Sequence, residues 1–235
     1  MLPACGVPER FALPVPVPLT QGGTTVPAEG AGGMLEFGDG LLGQELLRTD
    51  MISVGAMGGV GDRFSASVHS FTETRGNEME GTFVRAKVRA GSLAGPASSV
   101  AVAVTFSTSD REAGDVQDER VTTFDLAVPA EFRLASSESR RRDFSAYVGP
   151  RIARINYDDQ LEPAFDLNAT YWGGLVGVHA RISNFHFFGE ASVIRLPART
   201  ARGVAYDGRW TLSPALGIAL HFGKVHAWPA ITPTR

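Results

Sequence analysis

The segment Trp210–Phe222 constrains the fold more than any other part of this chain. One face reads Trp210, Leu212, Pro214, Leu216, Ile218, Leu220 and Phe222, and the other reads Thr211, Ser213, Ala215, Gly217, Ala219 and His221. Side chains on a strand alternate between two faces, so this pattern lays a continuous apolar row against one environment and small or polar groups against another. An aromatic closes each end of the apolar row, where the two boundaries of a hydrocarbon layer would meet it. Pro214 departs from the pattern, because proline cannot donate to a ladder.

The same alternation recurs along most of the chain. It predicts strands at 31–38, 51–60, 63–73, 80–90, 98–108, 120–134, 143–156, 169–182, 185–196 and 209–222. Val100, Val102, Val104 and Phe106 share a face, as do Phe124, Leu126, Val128, Ala130, Phe132 and Leu134. Val84, Ala86 and Val88 alternate with Arg85, Lys87 and Arg89, and Phe185, Phe187, Ala191 and Val193 oppose His186, Glu190 and Ser192. The first segment, built on Met34-Leu35-Glu36-Phe37, carries the weakest pattern, and Leu41–Arg48 reads equally as a short helical turn. Tight hairpin signals at Gly61-Asp62 and Ser183-Asn184 alternate with longer polar connections at 109–119, 158–168 and 197–208. The turn 135–142, with Arg140, Arg141 and Arg142, is an exception to that alternation.

A chain of 235 residues with 43% hydrophobic and 20% charged residues has room for one folded all-β domain. No apolar run approaches the roughly 18 residues that a membrane-crossing helix needs. A membrane span would therefore have to be a closed barrel, which satisfies its own backbone in lipid. The formal net charge of −3, with no basic stripe, gives no ground for a nucleic-acid partner. Lys87 and Lys224 are the sole lysines, and arginine, which packs and pairs well in a narrow polar interior, supplies the remaining basic residues.

The alternating strands from 51 to 222, hairpins such as 54–64 and the aromatic-bounded last strand resemble the small bacterial outer-membrane β-barrel proteins. That resemblance implies an antiparallel up-and-down transmembrane β-barrel. About 10 strands are expected, 8 or 12 being alternatives, since an even count returns both termini to one side. It divides the chain into an extended Pro/Gly-rich N-terminal tether (1–30), the barrel (31–222) and a C-terminal extension (223–235). It implies a bacterial outer-membrane location with both termini periplasmic and membrane lipid as a partner. A protein partner could dock on the tether or on the extension. A residue row continuing past Phe222, with His226 and Trp228, departs from barrels that end at the final aromatic. The competing architecture is a soluble calycin-like ligand-binding barrel, whose strands have the same period but whose charges face water.

The stretch Leu2-Pro3-Ala4-Cys5 resembles a bacterial lipobox, which implies lipidation of Cys5. Proline at its centre, and the lack of a charged and an apolar segment before it, are departures from that pattern. The alternative is an ordinary thiol in a tail. A lone cysteine excludes an internal disulfide.

Nothing in the chain has the spacing of a phosphate loop, a nucleophile elbow or a zinc site, so no metal and no cofactor are expected. His186, Ser192 and Glu190 contain the residue types of a hydrolase triad. Same-face residues i and i+6 of one strand lie about 20 Å apart, however, so His186 and Ser192 cannot touch. The chain is therefore expected not to be an enzyme. The charged polar face (Arg85, Lys87, Arg89, Asp125, Glu131, Arg133, His179, Arg181 and Glu190) is expected to form a lumen charge network, because buried charges persist when paired. Trp210 and Phe222 are the expected membrane-interface aromatics. A barrel of this size has little free interior once side chains fill it. The expected role is thus a structural or partner-binding accessory subunit of a cell-envelope complex, with a narrow channel or transporter for small solutes as the alternative.

Overall fold

The alternating segments fold as antiparallel strands, each hydrogen-bonded to neighbours on both sides. The computed structural model describes residues 29–42, 47–60, 63–73, 79–91, 98–113, 116–137, 142–159, 167–195, 198–201, 204–206, 208 and 210–224. The strands are β1 (Glu29–Leu42), β2 (Leu47–Val60), β3 (Phe64–Glu73), β4 (Met79–Gly91), β5 (Ser98–Ala113), β6 (Val116–Ala127), β7 (Ala130–Ser137), β8 (Arg142–Asp159), β9 (Leu167–Ile182), β10 (Phe185–Arg195), β11 (Arg199–Ala201), β12 (Val204–Tyr206) and β13 (Trp210–Lys224).

Successive strands pair as hairpins, and β1 pairs with β13 from Glu29↔Lys224 onward, so the sheet closes on itself. β6 and β7 form one stave, since both pair with β5 and with β8 and only Val128-Pro129 interrupts them. At that point Val128 donates to Pro150 O at 3.1 Å, and Pro129 O accepts from Ala101 at 3.0 Å. β11 and β12 make a separate small hairpin in the connection before β13. The result is an all-β, closed, antiparallel ten-stranded barrel, with no helix among the described residues.

Three local features follow from particular residues. The β1–β13 ladder lapses between Gly38↔Ala215 and Leu41↔Leu212, which accommodates the missing donor of Pro214. The hairpin at Ser183-Asn184 places Ser183 at φ 58°, the positive φ that the first central residue of a type II′ turn takes. The weakly patterned first segment is a full strand of 14 residues, and it is the one that closes the barrel. Leu41, Leu42, Leu47 and Arg48 lie in β1 and β2, so the alternative of a helical turn does not hold at those positions. The tether as far as residue 28, Cys5, Arg140, Arg141, the Gly61-Asp62 turn and the tail from residue 225 lie outside the described residues; Glu29, Gly30, Gly223 and Lys224 are strand.

The two faces of the wall are chemically opposite. Outward lie Val54, Val68, Val84, Phe106, Phe124, Val148, Ile152, Val176, Leu216 and Ile218, all exposed. Inward lie Glu36, Ser53, His69, Arg85, Lys87, Asp125, Glu131, Arg151, His179, His186 and Glu190, all buried. This arrangement is the reverse of a soluble barrel, and it decides between the two architectures. Water would penalise the outer face heavily, whereas hydrocarbon does not. No helix of the described residues is long and apolar enough to cross a membrane, a statement without bearing on crossing by strands.

Candidate functional site

The lumen is the chemically distinctive part of the molecule. Period-two geometry delivers every second residue of each strand into it, and the register decides which of these meet. Among the described residues the buried cations are Arg85, Lys87 and Arg151, against the carboxylates Glu36, Asp125, Glu131 and Glu190. This near balance lets the groups compensate one another inside a closed wall.

Midway along the lumen, Arg151 on β8 donates from Nε to Asp125 Oδ2 on β6 at 2.8 Å, and its Nη2 reaches the same oxygen. Its Nη1 donates to Ser192 Oγ on β10 at 2.7 Å. One guanidinium thus ties three staves together through its rigid fork of donors. Tyr147 on β8 lies flat across Gly177 on β9, and its hydroxyl donates to Glu190 Oε2 on β10 at 3.0 Å. A Cβ on Gly177 would stand 2.3 Å from the tyrosine ring, so glycine is what permits the crossing. The same device recurs at Gly55, where a Cβ would lie 2.3 Å from the ring of His69.

Glu36 on β1 forms a second centre. It lies 3.7 Å from Arg85 Nη1 and 3.5 Å from His69 Nδ1, and it accepts from Ser53 Oγ at 3.4 Å. His69 stacks on Phe83 at 4.2 Å, and Arg85 lies over the same ring at 5.1 Å. Lys87 lies in the field of Arg85 as well as those of Glu131, Glu190 and Glu36. Met51, Phe71 and Phe83 form an apolar cluster at the end of the lumen facing the longer connections.

Nearer the end where the barrel closes on the chain termini, Glu131 on β7 accepts from Ser145 Oγ on β8 and faces His179 Nδ1 on β9 at 2.9 Å. His179 Nε2 is 2.9 Å from His186 Nδ1, and the His186 and His221 rings stand 4.2 Å apart. In the neutral tautomer of His179 that donates to the carboxylate, Nε2 is the acceptor for His186, which gives a directed row of donors ending at Glu131. Ser145 Oγ is also 3.5 Å from His179 Nδ1, the nitrogen that Glu131 occupies. In an acyl-transfer triad the serine and the acid engage opposite nitrogens of the histidine. Here they compete for one, and Ser145 is buried. The cluster is a polar clamp between three staves.

The expected lumen residues are placed as follows. Arg85, Lys87, Asp125, Glu131, His179 and Glu190 are buried in the lumen, while Arg89, Arg133 and Arg181 are partly buried near the rim that carries the tight turns. One pair, Glu131 with His179, lies within that set, and other members find partners outside it. Asp125 meets Arg151, Glu190 meets Tyr147, Arg85 meets Glu36 and Arg181 meets Asp143. Glu36, His69, Ser145, Tyr147, Arg151, His186 and His221 were not among the expected site residues. Strand parity marks every one of them as inward. His186, Ser192 and Glu190 each bond to a different neighbour and do not assemble. No group of three or more His, Cys, Asp or Glu among the described residues is placed to hold a metal ion. Trp210 and Phe222 stand on the outer face of β13, exposed at 49% and 62%.

A closed barrel with an apolar outer wall and a charge-filled lumen defines the class: a transmembrane β-barrel of the outer-membrane type. Among solved structures, the chain is similar to the translocator domain of the autotransporter NalP from Neisseria meningitidis (12% identity, TM-score 0.48, covering 83% of this chain and 89% of that one). It is also similar to the outer membrane protease OmpT from Escherichia coli (8% identity, TM-score 0.37, 84% and 95%) and to Ail, the attachment invasion locus protein of Yersinia pestis (10% identity, TM-score 0.30, 83% and 99%). These neighbours are bacterial outer-membrane β-barrels. No family of known proteins and no curated sequence matches the chain.

The expectation that the chain is not an enzyme is overturned by this comparison. An outer-membrane protease stands among the similar structures, so barrels of this type include enzymes as well as non-enzymes. Spacing along one strand weighs residues of that strand alone, whereas barrel closure brings side chains of different strands together, as it does Glu131, Ser145 and His179, although these form a clamp and not a triad.

Proposed function

We propose that this outer-membrane barrel is a structural, partner-binding subunit of the cell envelope whose lumen is blocked to free diffusion. The observation that carries the reading is the Arg151 fork, which spans the lumen wall from Asp125 to Ser192 while Tyr147 crosses to Glu190. Side chains bonded from stave to stave inside the wall, with the Met51, Phe71 and Phe83 cluster at one end, support a lumen filled by side chains, as expected for a barrel of ten strands. Glu29 and Lys224 pair at one rim, so both arms of the chain leave the barrel on the same side. In this reading that side is periplasmic, where tether and tail can engage a protein partner.

The test is conductance of the refolded barrel in a planar lipid bilayer. No steady open-channel current is expected from the wild-type protein. A stable ohmic conductance would overturn the reading in favour of a narrow channel for small solutes.

A further inference from the structure

The outer wall carries one polar feature that the lumen does not explain. Arg195, the last residue of β10, faces outward with Trp172 of β9 as its register partner on one side and Trp210 of β13 on the other. The two indoles meet edge to face at 5.2 Å, and the guanidinium carbon of Arg195 lies 5.8 Å from the centroid of Trp210. Both indoles are about half exposed, at 54% and 49%. On the next stave, Arg154 is exposed and held by a bond from its Nε to Asn168 Oδ1 at 3.0 Å.

The height of this feature follows from strand geometry. The outward row of β10 runs Phe185, Phe187, Gly189, Ala191, Val193, Arg195. From Phe185 to Arg195 is about 34 Å of strand, or about 25 Å across the membrane at a tilt of about 40°, one hydrocarbon thickness. Arg195 therefore stands at the headgroup level, and Val193, Leu212 and Val176 continue the wall below it as an apolar strip. The rest of that rim differs in charge. Asp110 on β5 is exposed and paired with Arg120 at 2.9 Å, and Glu80 on β4 is Asp110's register partner. Among the described residues of that rim, Arg154 on β8 and Arg195 on β10 supply the cations of this part, and Arg120 on β6 is balanced by Asp110.

We propose that Trp172, Arg195 and Trp210, with Arg154 beside them, bind the phosphate headgroup of an anionic membrane lipid whose acyl chains lie on the strip below. A guanidinium held against an indole face keeps its N–H donors in its own plane, where a phosphate can take two of them at once. Hydrocarbon on one side lowers the dielectric around the contact, and the Trp210 indole, itself packed against Trp172, positions the arginine before the lipid arrives.

The experiment uses the full chain folded in neutral detergent, with brominated phosphatidic acid or brominated phosphatidylcholine quenching tryptophan emission. The wild-type protein is expected to bind the phosphatidic acid in preference. Arg195→Gln is expected to lower that preference about tenfold, and Arg195→Lys to lower it less, since a lysine keeps charge but lacks the fork. Arg120→Gln, on the paired part of the rim, is expected to leave it unchanged. Retention of the folded, heat-shifted gel band by each variant separates lost binding from lost fold. No preference in the wild-type protein, or an unchanged preference in Arg195→Gln, would overturn the proposal. Displacement of the lipid by inorganic phosphate at matched concentration would assign the site to free phosphate and overturn the lipid assignment.

Discussion

Removing the Asp125 carboxylate should destabilise the barrel far more than its single methylene of packing would suggest. Asp125 is bonded to Arg151, and their side chains are 5% and 2% exposed. Asp125→Ala takes from a buried guanidinium the carboxylate it is bonded to, and breaking a buried ion pair by removing one partner costs about 3–5 kcal/mol. Arg151→Ala leaves the carboxylate in the same position and should cost a similar amount. The double variant removes both charges, so it should cost no more than the worse single, which implies a coupling of about 3 kcal/mol. The assay is urea unfolding of the barrel in lipid vesicles, followed by tryptophan emission and by the gel shift. Additive costs would refute the pair. A cost for Asp125→Ala below about 1 kcal/mol would show a water-screened lumen, and with it an interior open enough to challenge the blocked-barrel reading.

Other substitutions separate the wall from the lumen. Gly177→Val places a branched side chain where a Cβ already stands 2.3 Å from the Tyr147 ring. It should break the bond to Glu190 at a cost of about 3 kcal/mol in the same unfolding assay, with Tyr147→Ala relieving part of that loss in the double variant. Val176→Arg, on the outer wall at 55% exposure, should cost about 2–4 kcal/mol in vesicles, because that position meets hydrocarbon. A neutral result would mean the outer face is wet. Glu131→Gln puts an amide where two donors converge, Ser145 and His179, and should cost about 1–3 kcal/mol by chemical denaturation.

The strands were legible because lipid outside and charge inside impose a strict period of two on both rows. Where the sequence signal weakened, the cause was local. Glu36 interrupts the apolar run of the first segment and so dilutes its pattern, yet it is the lumen anchor of β1, facing Arg85 and His69. A charge inside an alternating run is therefore a sign of the inner face rather than of a doubtful strand. The helical reading of Leu41–Arg48 arose because a short apolar run with no alternation fits either structure. Pairing decides it, since Leu41 and Leu42 face Arg48 and Leu47 across the β1–β2 hairpin.

The lumen was legible one face at a time but not pair by pair. Parity marks Arg151 as inward, two residues before Ala153 and four before Ile155, both buried. Which carboxylate it meets depends on the stagger between β6 and β8, and Asp125 lies 26 positions earlier in the chain. Tyr147 shows the same limit in sharper form. Its partner Glu190 is two staves away, and the contact exists because the intervening inward residue, Gly177, has no side chain. A glycine on the inner face thus carries information that no residue-by-residue reading assigns to it. It permits a long side chain from one neighbouring stave to reach the other, and the network is built as much from these gaps as from the charges that span them.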